Sequence, residues 1–449
     1  MLSSCYVCLY QSNRFSTRQR LYRCIQNHCS YLTPNMAPIA LEADSPVDHI
    51  EQLKAAIRHP DNNVFPDGLK TSDALTGQHP PLYNKIYPYS SFPKSISGPT
   101  VWNPEDYSDN PERWVHQFSA DEISEISQAA DNFMSSNESL TGITKENFPL
   151  PNLASSLHSM RREMLDGKGF ILYKGFPVGE WGNHKSAVAY MGLGAYIGYP
   201  VSQNGRGHIL GHVKDLGDDS TQIDKVRIYR TNARQFFHAD DCDVVGLLCI
   251  AKSEFGGESD VSSIHHVWNI LQAERPDVAE LLTQPIWYFD RKGEVSQGED
   301  PYIRTSVFYL ETPDPSNPDR EQRVYCKWDP YFVKSLSRFS DQGIIPPLSP
   351  AQQEAAQLLE DTCNRVRLHM ILDVGDIQFV SNSHTLHART AYRDFGPDSG
   401  KPRRHLMRLW LSVPEDEGGW RLPFWDSNEK KRGGIQVDDT PPVARLDAD

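Results

Sequence analysis

The chain has 449 residues, a formal net charge of −14 at pH 7, and a composition (38% hydrophobic, 10% aromatic, 32 prolines) typical of a large globular protein rich in loops. The acidic balance argues against nucleic acid or an anionic membrane as the main partner, because binding to phosphates requires a positive surface. The longest apolar run, Val244 to Ala251, is far shorter than the roughly 20 residues that a membrane-spanning helix needs.

Residues 1–41 differ from the rest, because they hold four arginines, no acidic residue and four of the eight cysteines. An acid-free start with arginine and serine is typical of a mitochondrial transit peptide. We favour the alternative that Met36 is the true start, since a chain of ordinary composition begins there. A zinc knuckle is disfavoured by the cysteine spacing. Without residues 1–35 the charge becomes −18, and the four remaining cysteines suit a reducing compartment, so we expect a cytoplasmic protein, or a mitochondrial one if the leader is genuine.

Residues 42–118 are rich in Pro, Asp, Asn, Ser and Tyr and predict an irregular arm with one short helix near Ile50–Arg58. The main domain is expected over 119–425, followed by a C-terminal tail at 426–449. Its first helix starts at Ser119, which forms a capping box with the glutamate three residues later. Further helices are predicted over 153–165, 184–197, 267–272 and 349–362.

Short runs of β-forming residues separated by Gly, Asp and Pro dominate the chain from about residue 207. The predicted strands are Phe170–Tyr173, His208–Lys214, Arg234–Ala239, Val244–Ala251, Ser259–Ser263, Ile286–Asp290, Ser306–Leu310, Val324–Trp328, Val366–Leu372, Ile377–Val380 and Arg404–Val413. Many short strands with a few interposed helices predict a mainly β fold, a sandwich or barrel of jelly-roll type with helices packed outside.

The sharpest local motif is His238-Ala239-Asp240. Residues i and i+2 of a strand point to the same face, so the imidazole and the carboxylate would project together. They supply two of the three ligands of a 2-His-1-carboxylate site, which leaves coordination positions open on Fe(II). Taken alone, a His-x-Asp sequence is more often a surface pair than a metal site.

A second cluster follows about 150 residues later, where His384 and His387 precede two arginines, Arg404 and Arg408. On a strand these arginines would share one face with Trp410, while leucines occupy the other. Burying two guanidinium groups is costly unless they meet anions, and a carboxylate matches the planar fork of arginine. A solvated edge strand is the alternative.

These segments, taken in order, resemble the Fe(II)/2-oxoglutarate-dependent dioxygenases of the taurine dioxygenase-like (TauD/TfdA) family, especially its fungal members, over about residues 165–425. The resemblance is carried by the segments 169–177, 238–240, 256–259, 374–377, 382–389 and 404–411. It implies a double-stranded β-helix of the jelly-roll, clavaminate synthase-like type.

The resemblance also implies the site. His238, Asp240 and His387 would bind Fe(II), and Arg404 would bind the distal carboxylate of 2-oxoglutarate with help from the Ser259 hydroxyl. His384 competes with His387, but the family's ligand lies at the His-Ala-Arg sequence that begins at residue 387. Arg408 would contact the co-substrate or an acidic group of the substrate, with a supporting salt bridge as the alternative.

The implied reaction uses O2 and 2-oxoglutarate to oxidise a small organic substrate with an acidic group, releasing succinate and CO2. Because related halogenases have a small residue at the carboxylate position, Asp240 implies hydroxylation or desaturation. Two alternatives are a metal-dependent hydrolase using the same His/Asp site and a non-catalytic β-helix binding protein. The expected partner is a small molecule rather than nucleic acid or membrane, with a homo-oligomer left open.

Overall fold

Two facing sheets organise the computed structural model, which describes residues 87–297, 299–317, 320–423 and 434–448. All of these belong to one unit, Ser45–Asp449. The predicted leader at 1–41 and the predicted helix near Ile50–Arg58 lie outside the described residues.

Eighteen strands lie in the described part of the chain: β1 Val115–Gln117, β2 Phe170–Lys174, β3 Tyr199–Pro200, β4 His208–Lys214, β5 Gln235–His238, β6 Val244–Ala251, β7 Phe255–Gly256, β8 Ser259–Ser263, β9 Trp287–Asp290, β10 Tyr302–Thr305, β11 Phe308–Leu310, β12 Val324–Cys326, β13 Leu368–Met370, β14 Ile377–Ser381, β15 Thr385–Arg389, β16 Tyr392–Arg393, β17 His405–Ser412 and β18 Val443–Ala444. The α-helices of the same part are α1 Glu105–Ser108, α2 Ala120–Ser136, α3 Ala154–Asp166, α4 Val178–Ala195, α5 Ile264–Glu274, α6 Pro276–Thr283, α7 Pro330–Lys334, α8 Ser337–Ser340 and α9 Pro350–Arg365. No helix among the described residues is long and apolar enough to cross a membrane.

The major sheet has the strand order β1-β2-β14-β6-β17-β4-β18, with β3 paired to the end of β17. The minor sheet has the order β13-β8-β15-β5 and is antiparallel throughout. Both ends of the described chain join the major sheet, since β1 pairs with β2 and β18 pairs with β4. This pair of sheets with outer helices is the predicted jelly roll.

Alternation along the central strands sorts their side chains between two apolar layers. In β17, Met407, Leu409 and Leu411 belong to the core beneath α2, α3 and α4, whereas Leu406 and Trp410 face the minor sheet. The minor sheet is covered on its outer side by a third core built largely from α5, α6 and α9. Both faces of β17 are therefore buried, and the edge-strand alternative is wrong.

Most predicted elements agree with the structure to within a few residues, and the differences have local causes. The helix predicted over 184–197 is preceded by an extra turn that starts at Val178. The non-helical backbone of Gly182 (φ 68°) forms a kink between the two. The strand predicted over 366–372 is limited to Leu368–Met370, the residues that pair with β8. Strand β15 and the short helices α6 and α7 were not predicted, because buried and proline-started segments this short lack a clear period.

Candidate active site

The pairing of β5 with β15 places His238 directly opposite His387. The two imidazole rings lie 4.2 Å apart between centroids. Asp240 follows two residues after His238, and one ligand atom from each of the three side chains lies within 4.8 Å of the others. All three are buried between the two sheets. The structure thus brings together the three side chains that the sequence predicted as a metal site.

The hydrogen bonds of His238 fix which ring nitrogen carries the proton and which keeps a lone pair. Nδ1 lies 2.9 Å from the carbonyl oxygen of Phe236, which only accepts, so Nδ1 carries the proton and donates it. Nε2 therefore keeps a lone pair, which accepts from the amide of Gln235 at 2.9 Å and faces Asp240 at 3.9 Å. A backbone carbonyl that orients the non-ligating nitrogen is the usual support of a metal-bound histidine.

Asp240 is held by both its backbone and its side chain. Its backbone N–H donates to Oδ1 of Asn382 at 3.0 Å, and its Oδ1 lies 3.4 Å from Nη1 of Arg408. Burial by itself would raise the pKa of this carboxyl, but the charges of Arg408, His387 and His238 outweigh that effect and lower it. Asp240 is therefore ionised at neutral pH, as a metal ligand must be.

His387 is buried with few polar partners. Its Nε2 lies 3.7 Å from Oδ2 of Asp240, and its Nδ1 has no hydrogen-bond partner among the described residues. Burial, reinforced by His238, lowers the pKa of His387 to about 3. His384 lies elsewhere: its Nε2 donates to the carbonyl of Gly167 at 3.0 Å, and its ring stacks on Trp420 at 5.5 Å.

The donor set can be tested against a metal without reference to any family. Oδ2 of Asp240 is buried and has no hydrogen-bond partner among the described residues, which is costly for a carboxylate unless a cation binds there. Two neutral imidazoles and one carboxylate, with coordination positions to spare, match the 2-His-1-carboxylate preference for non-haem Fe(II). The residues present therefore fit an Fe(II) ion.

One side of the triad opens into a cavity that contains two buried arginines, Arg389 and Arg404. Neither guanidinium group has a carboxylate within 4.0 Å among the described residues, although the backbone N–H of Arg404 donates to Oδ1 of Asp394 at 2.8 Å. Arg404 donates from Nη2 to the carbonyl of Gly257 at 3.0 Å, and its Nη1 has no partner in that part of the chain. Both guanidinium groups lie against the ring of Tyr392, at 4.7 and 5.0 Å from its centroid. Burial lowers the pKa of each, and an anion in this cavity would offset that cost.

Ser259 and Arg408 also line this cavity. The Ser259 hydroxyl donates to Oε1 of Gln378 at 3.1 Å. Arg408 donates from Nε to Oε1 of Gln203 at 2.8 Å and contacts Asp240, so the structure shows it beside a triad member rather than beside Arg404.

A second cavity also has Asp240 in its wall. Its wall is formed by Gln203, Arg227, Ile228, Tyr229, Gln235, Ala239, Asp240, Asp241, Lys292, Asp329, Tyr331, Phe332, Arg408 and Trp410. Half of these residues lie on loops, and Gln235, Asp240 and Arg408 line both cavities.

Sequence reasoning missed several of these side chains as contributors to the site. Arg389 lies two residues after His387, and Gln378 lies two residues before Val380, so both occupy inward-facing strand positions. Strict alternation could therefore have found them. Gln235 precedes His238 by three residues and carried no usable signal. Lys292 comes from a loop about 50 residues away in sequence and could be placed only by the tertiary structure.

A buried 2-His-1-carboxylate triad between two jelly-roll sheets, beside arginines that lack counterions, defines a non-haem iron oxygenase with an anionic co-substrate. The chain belongs to the family described as "Taurine catabolism dioxygenase TauD, TfdA family", whose sequence model matches residues 136–410. The predicted enzyme class, a dioxygenase using Fe(II), 2-oxoglutarate and O2, is confirmed at this level.

Two curated relatives are similar over most of the chain. FR-33289 synthase of Streptomyces rubellomurinus (strain ATCC 31215) is 28% identical over 336 residues, 74% of this chain and 93% of the relative. Taurine hydroxylase-like protein SAT17 of Stachybotrys chartarum (strain CBS 109288 / IBT 7711) is 25% identical over 318 residues, 70% of this chain and 78% of the relative.

Among solved structures, asparagine oxygenase in complex with Fe(II), 2S,3S-3-hydroxyasparagine and succinate is similar in fold. Its TM-score is 0.50 at 16% identity, and the match covers 67% of this chain and 94% of the other. The predicted jelly-roll fold is confirmed.

Proposed function

We propose that this protein hydroxylates or desaturates a small organic substrate bearing an acidic group, with conversion of 2-oxoglutarate and O2 to succinate and CO2. The observation that carries this proposal is the position of Arg404, a buried cation without a carboxylate partner among the described residues. It lines the same cavity as His238, Asp240 and His387.

His238, Asp240 and His387 would hold the iron, which when bound supplies the activation of O2 that organic substrates require. His238 is pre-oriented by the carbonyl of Phe236, and Asp240 is pre-oriented by Asn382. The site therefore needs little rearrangement to accept a metal, which favours tight binding.

Arg404 would bind the distal carboxylate of 2-oxoglutarate through the Nη1 that lacks a partner, assisted by the Ser259 hydroxyl. Arg408 would support the metal ligand Asp240, since it contacts that carboxylate at 3.4 Å and stabilises its ionised form. The relatives lend general support only, because their names describe a synthase, a hydroxylase-like protein and an asparagine oxygenase.

The test is anaerobic titration of the Fe(II)-loaded protein with 2-oxoglutarate, followed by the visible charge-transfer band of the chelate. We expect the band in the wild type, and about 10- to 100-fold weaker 2-oxoglutarate binding in Arg404→Met, because a charge-assisted hydrogen bond is lost. Arg403→Met is the matched control, since Arg403 is exposed and donates to the carbonyl of Asp215.

Absence of the band from iron-loaded wild type would contradict the proposal and favour a metal hydrolase or a binding protein. Equal weakening in the two arginine variants would contradict the role of Arg404 alone. Succinate release in the presence of small organic acids and amino acids would then identify the substrate.

We also propose a reducing, cytoplasmic location. The four cysteines of the described chain, Cys242, Cys249, Cys326 and Cys363, are free and buried, and burial raises the pKa of each thiol. Buried free thiols suit a compartment without disulfide formation.

A further inference from the structure

The second cavity, which Arg404 does not line, contains three cations, and two of them have local partners. Arg227 pairs with Glu294, and Arg408 contacts Asp240. Lys292 differs, because its ammonium donates to the carbonyl of Ile223 and has no carboxylate within 4.0 Å among the described residues. An ammonium group has three protons to donate, so Lys292 keeps capacity for a ligand.

The acidic residues of this cavity form no ion pair with Lys292 within 4.0 Å among the described residues, and the charge of Asp329 acts on it only at longer range. Asp240 belongs to the metal triad, and Asp241 pairs with Lys327 at 2.6 Å. Asp329 accepts from the backbone N–H of Tyr331 at 2.7 Å, and burial raises the pKa of its carboxyl. Once a metal takes the charge of Asp240, the cavity has an excess of positive charge.

The backbone of Lys292 has a conformation that lysine seldom adopts. Its φ is 50°, in the left-handed region, which it shares among non-glycine described residues with Asn137 and Asp438. Asparagine and aspartate tolerate this region well, whereas lysine does not. Such strain persists where the surroundings enforce it, and it is concentrated at functional sites.

Lys292 and Arg227 lie over the same aromatic ring. The Lys292 ammonium is 5.6 Å and the Arg227 guanidinium 5.0 Å from the centroid of the Phe332 ring. Burial, together with Arg227, lowers the pKa of Lys292 to about 8, so it is still charged at neutral pH. Two cations against one ring on a cavity wall form a suitable surface for an anion.

A larger neighbouring cavity also has more cations than acidic groups in its wall. It shares Gln203, Tyr229, Arg227 and Arg408 with the second cavity. Its lining has five cations and three acidic residues: Arg206, Lys225, Arg227, Arg230 and Arg408 against Asp218, Glu294 and Asp447. A cationic surface beside the second cavity, on a chain of net charge −14, favours the approach of anions.

We propose that Lys292, together with Arg227, binds the acidic group of the primary substrate in the second cavity, which Asp240 lines and Arg404 does not. This inference rests on the proposed function and adds the residues that select an organic anion. The substrate would then lie between Lys292 and the metal, with its anionic end against the Phe332 wall and the position to be oxidised towards the triad.

Methylphosphonate is a suitable probe, because the ³¹P resonance of an anion bound near Fe(II) broadens with distance from the paramagnetic ion. The experiment uses anaerobic full-length protein with Fe(II) and 2-oxoglutarate, and Zn(II)-loaded protein as the diamagnetic reference. We expect saturable broadening in the wild type with an affinity on the order of millimolar.

Lys292→Asn is the informative variant, because asparagine removes the charge and tolerates the left-handed backbone. We expect at least about tenfold weaker methylphosphonate binding, an unchanged charge-transfer band, and a thermal unfolding midpoint no lower than that of the wild type. Lys334→Asn is the matched control, since Lys334 is an exposed cation close to Phe332 in sequence that does not line the cavity and contacts the ring of Phe236. Its affinity for the probe should stay within about twofold of the wild type.

Equal binding by Lys292→Asn and wild type would overturn the inference, and so would an equal loss in Lys334→Asn, which would indicate general electrostatics. Failure of the wild type to broaden the resonance saturably, with the band present, would also overturn it and leave the proposed function intact. Loss of the band itself would remove the proposed function, and this inference with it.

Discussion

Two pairs of buried histidines lie close together in this protein and have opposite chemistry. In the triad, His238 and His387 lie 4.2 Å apart and keep nitrogens that face Asp240 without a strong hydrogen bond to it. In the second pair, His265 and His384 lie 5.7 Å apart and all four ring nitrogens have partners. Burial is the same in both pairs, and both nitrogens of His238 also have hydrogen-bond partners, so the carboxylate that His238 and His387 share decides which pair can bind a metal.

A metal-binding histidine and a structural histidine lie very close in sequence here. His384 and His387 are three residues apart, yet one stacks on Trp420 and the other faces the metal triad. Strand β15 starts between them and turns their side chains to opposite sides. His384 is therefore a structural residue, because its ring nitrogens contact Ser381 and Gly167 and face no member of the triad.

The largest expected effect is the loss of iron on removing a triad histidine. His387→Ala should abolish stoichiometric iron retention and the 2-oxoglutarate band, because two remaining ligands bind Fe(II) poorly. Iron content after gel filtration measures this, with His384→Asn as the control that should retain iron. Iron retention in His387→Ala together with loss in His384→Asn would reverse the comparison.

The second pair should matter for stability instead. His384→Ala should cost about 3 kcal/mol in the free energy of unfolding, because it leaves a cavity beside Trp420 and an unpaired carbonyl at Gly167. Urea unfolding of metal-free protein measures this. We expect a smaller cost for His387→Ala under the same conditions, since its Nδ1 has no partner to lose among the described residues.

A pH effect follows from the neutral form of His265. Burial lowers its folded-state pKa to about 4, below the unfolded value of about 6.5. The unfolded chain therefore binds more protons between these values, and the stability present above pH 6.5 is lost as pH falls towards 4. Between pH 7 and pH 5 this residue should contribute a loss of about 2 kcal/mol, measured by urea unfolding. An undiminished pH dependence in His265→Gln would contradict the assignment.

The smallest expected effect concerns a residue that orients a triad member. Asn382→Ala should weaken iron binding about tenfold, because the amide oxygen that accepts from the Asp240 backbone is lost. Competition with a metal chelator measures the affinity. Ser383→Ala is the matched control, since the Ser383 hydroxyl is equally buried and has no partner in the described chain, and similar weakening in both variants would contradict a specific role for Asn382.

Much of the fold and of the triad could be predicted because the signals are local. Short runs of β-forming residues between Gly, Asp and Pro turns identified β4, β6 and β17, and the capping box at Ser119 gave the start of α2. The short elements α6, α7 and β15 were not predicted, since a few buried residues show no period. Arg408 was expected to contact the co-substrate or the substrate, with a supporting salt bridge as the alternative, and its contact with Asp240 depends on strand register that no local pattern reveals.

The sequence by itself determined the chemistry that is available: two histidines and a carboxylate at suitable spacings, and arginines on an inward face of one strand. These depend on residue identity and on the two-residue repeat of a strand, which are properties of the chain alone. Only the tertiary structure decided that both triad imidazoles face one carboxylate, that Lys292 lines a cavity with Asp240, and that the larger cavity beside it has more cations than acidic groups. Those features arise from loops and strands distant in sequence, whose contacts form only when the two sheets pack together.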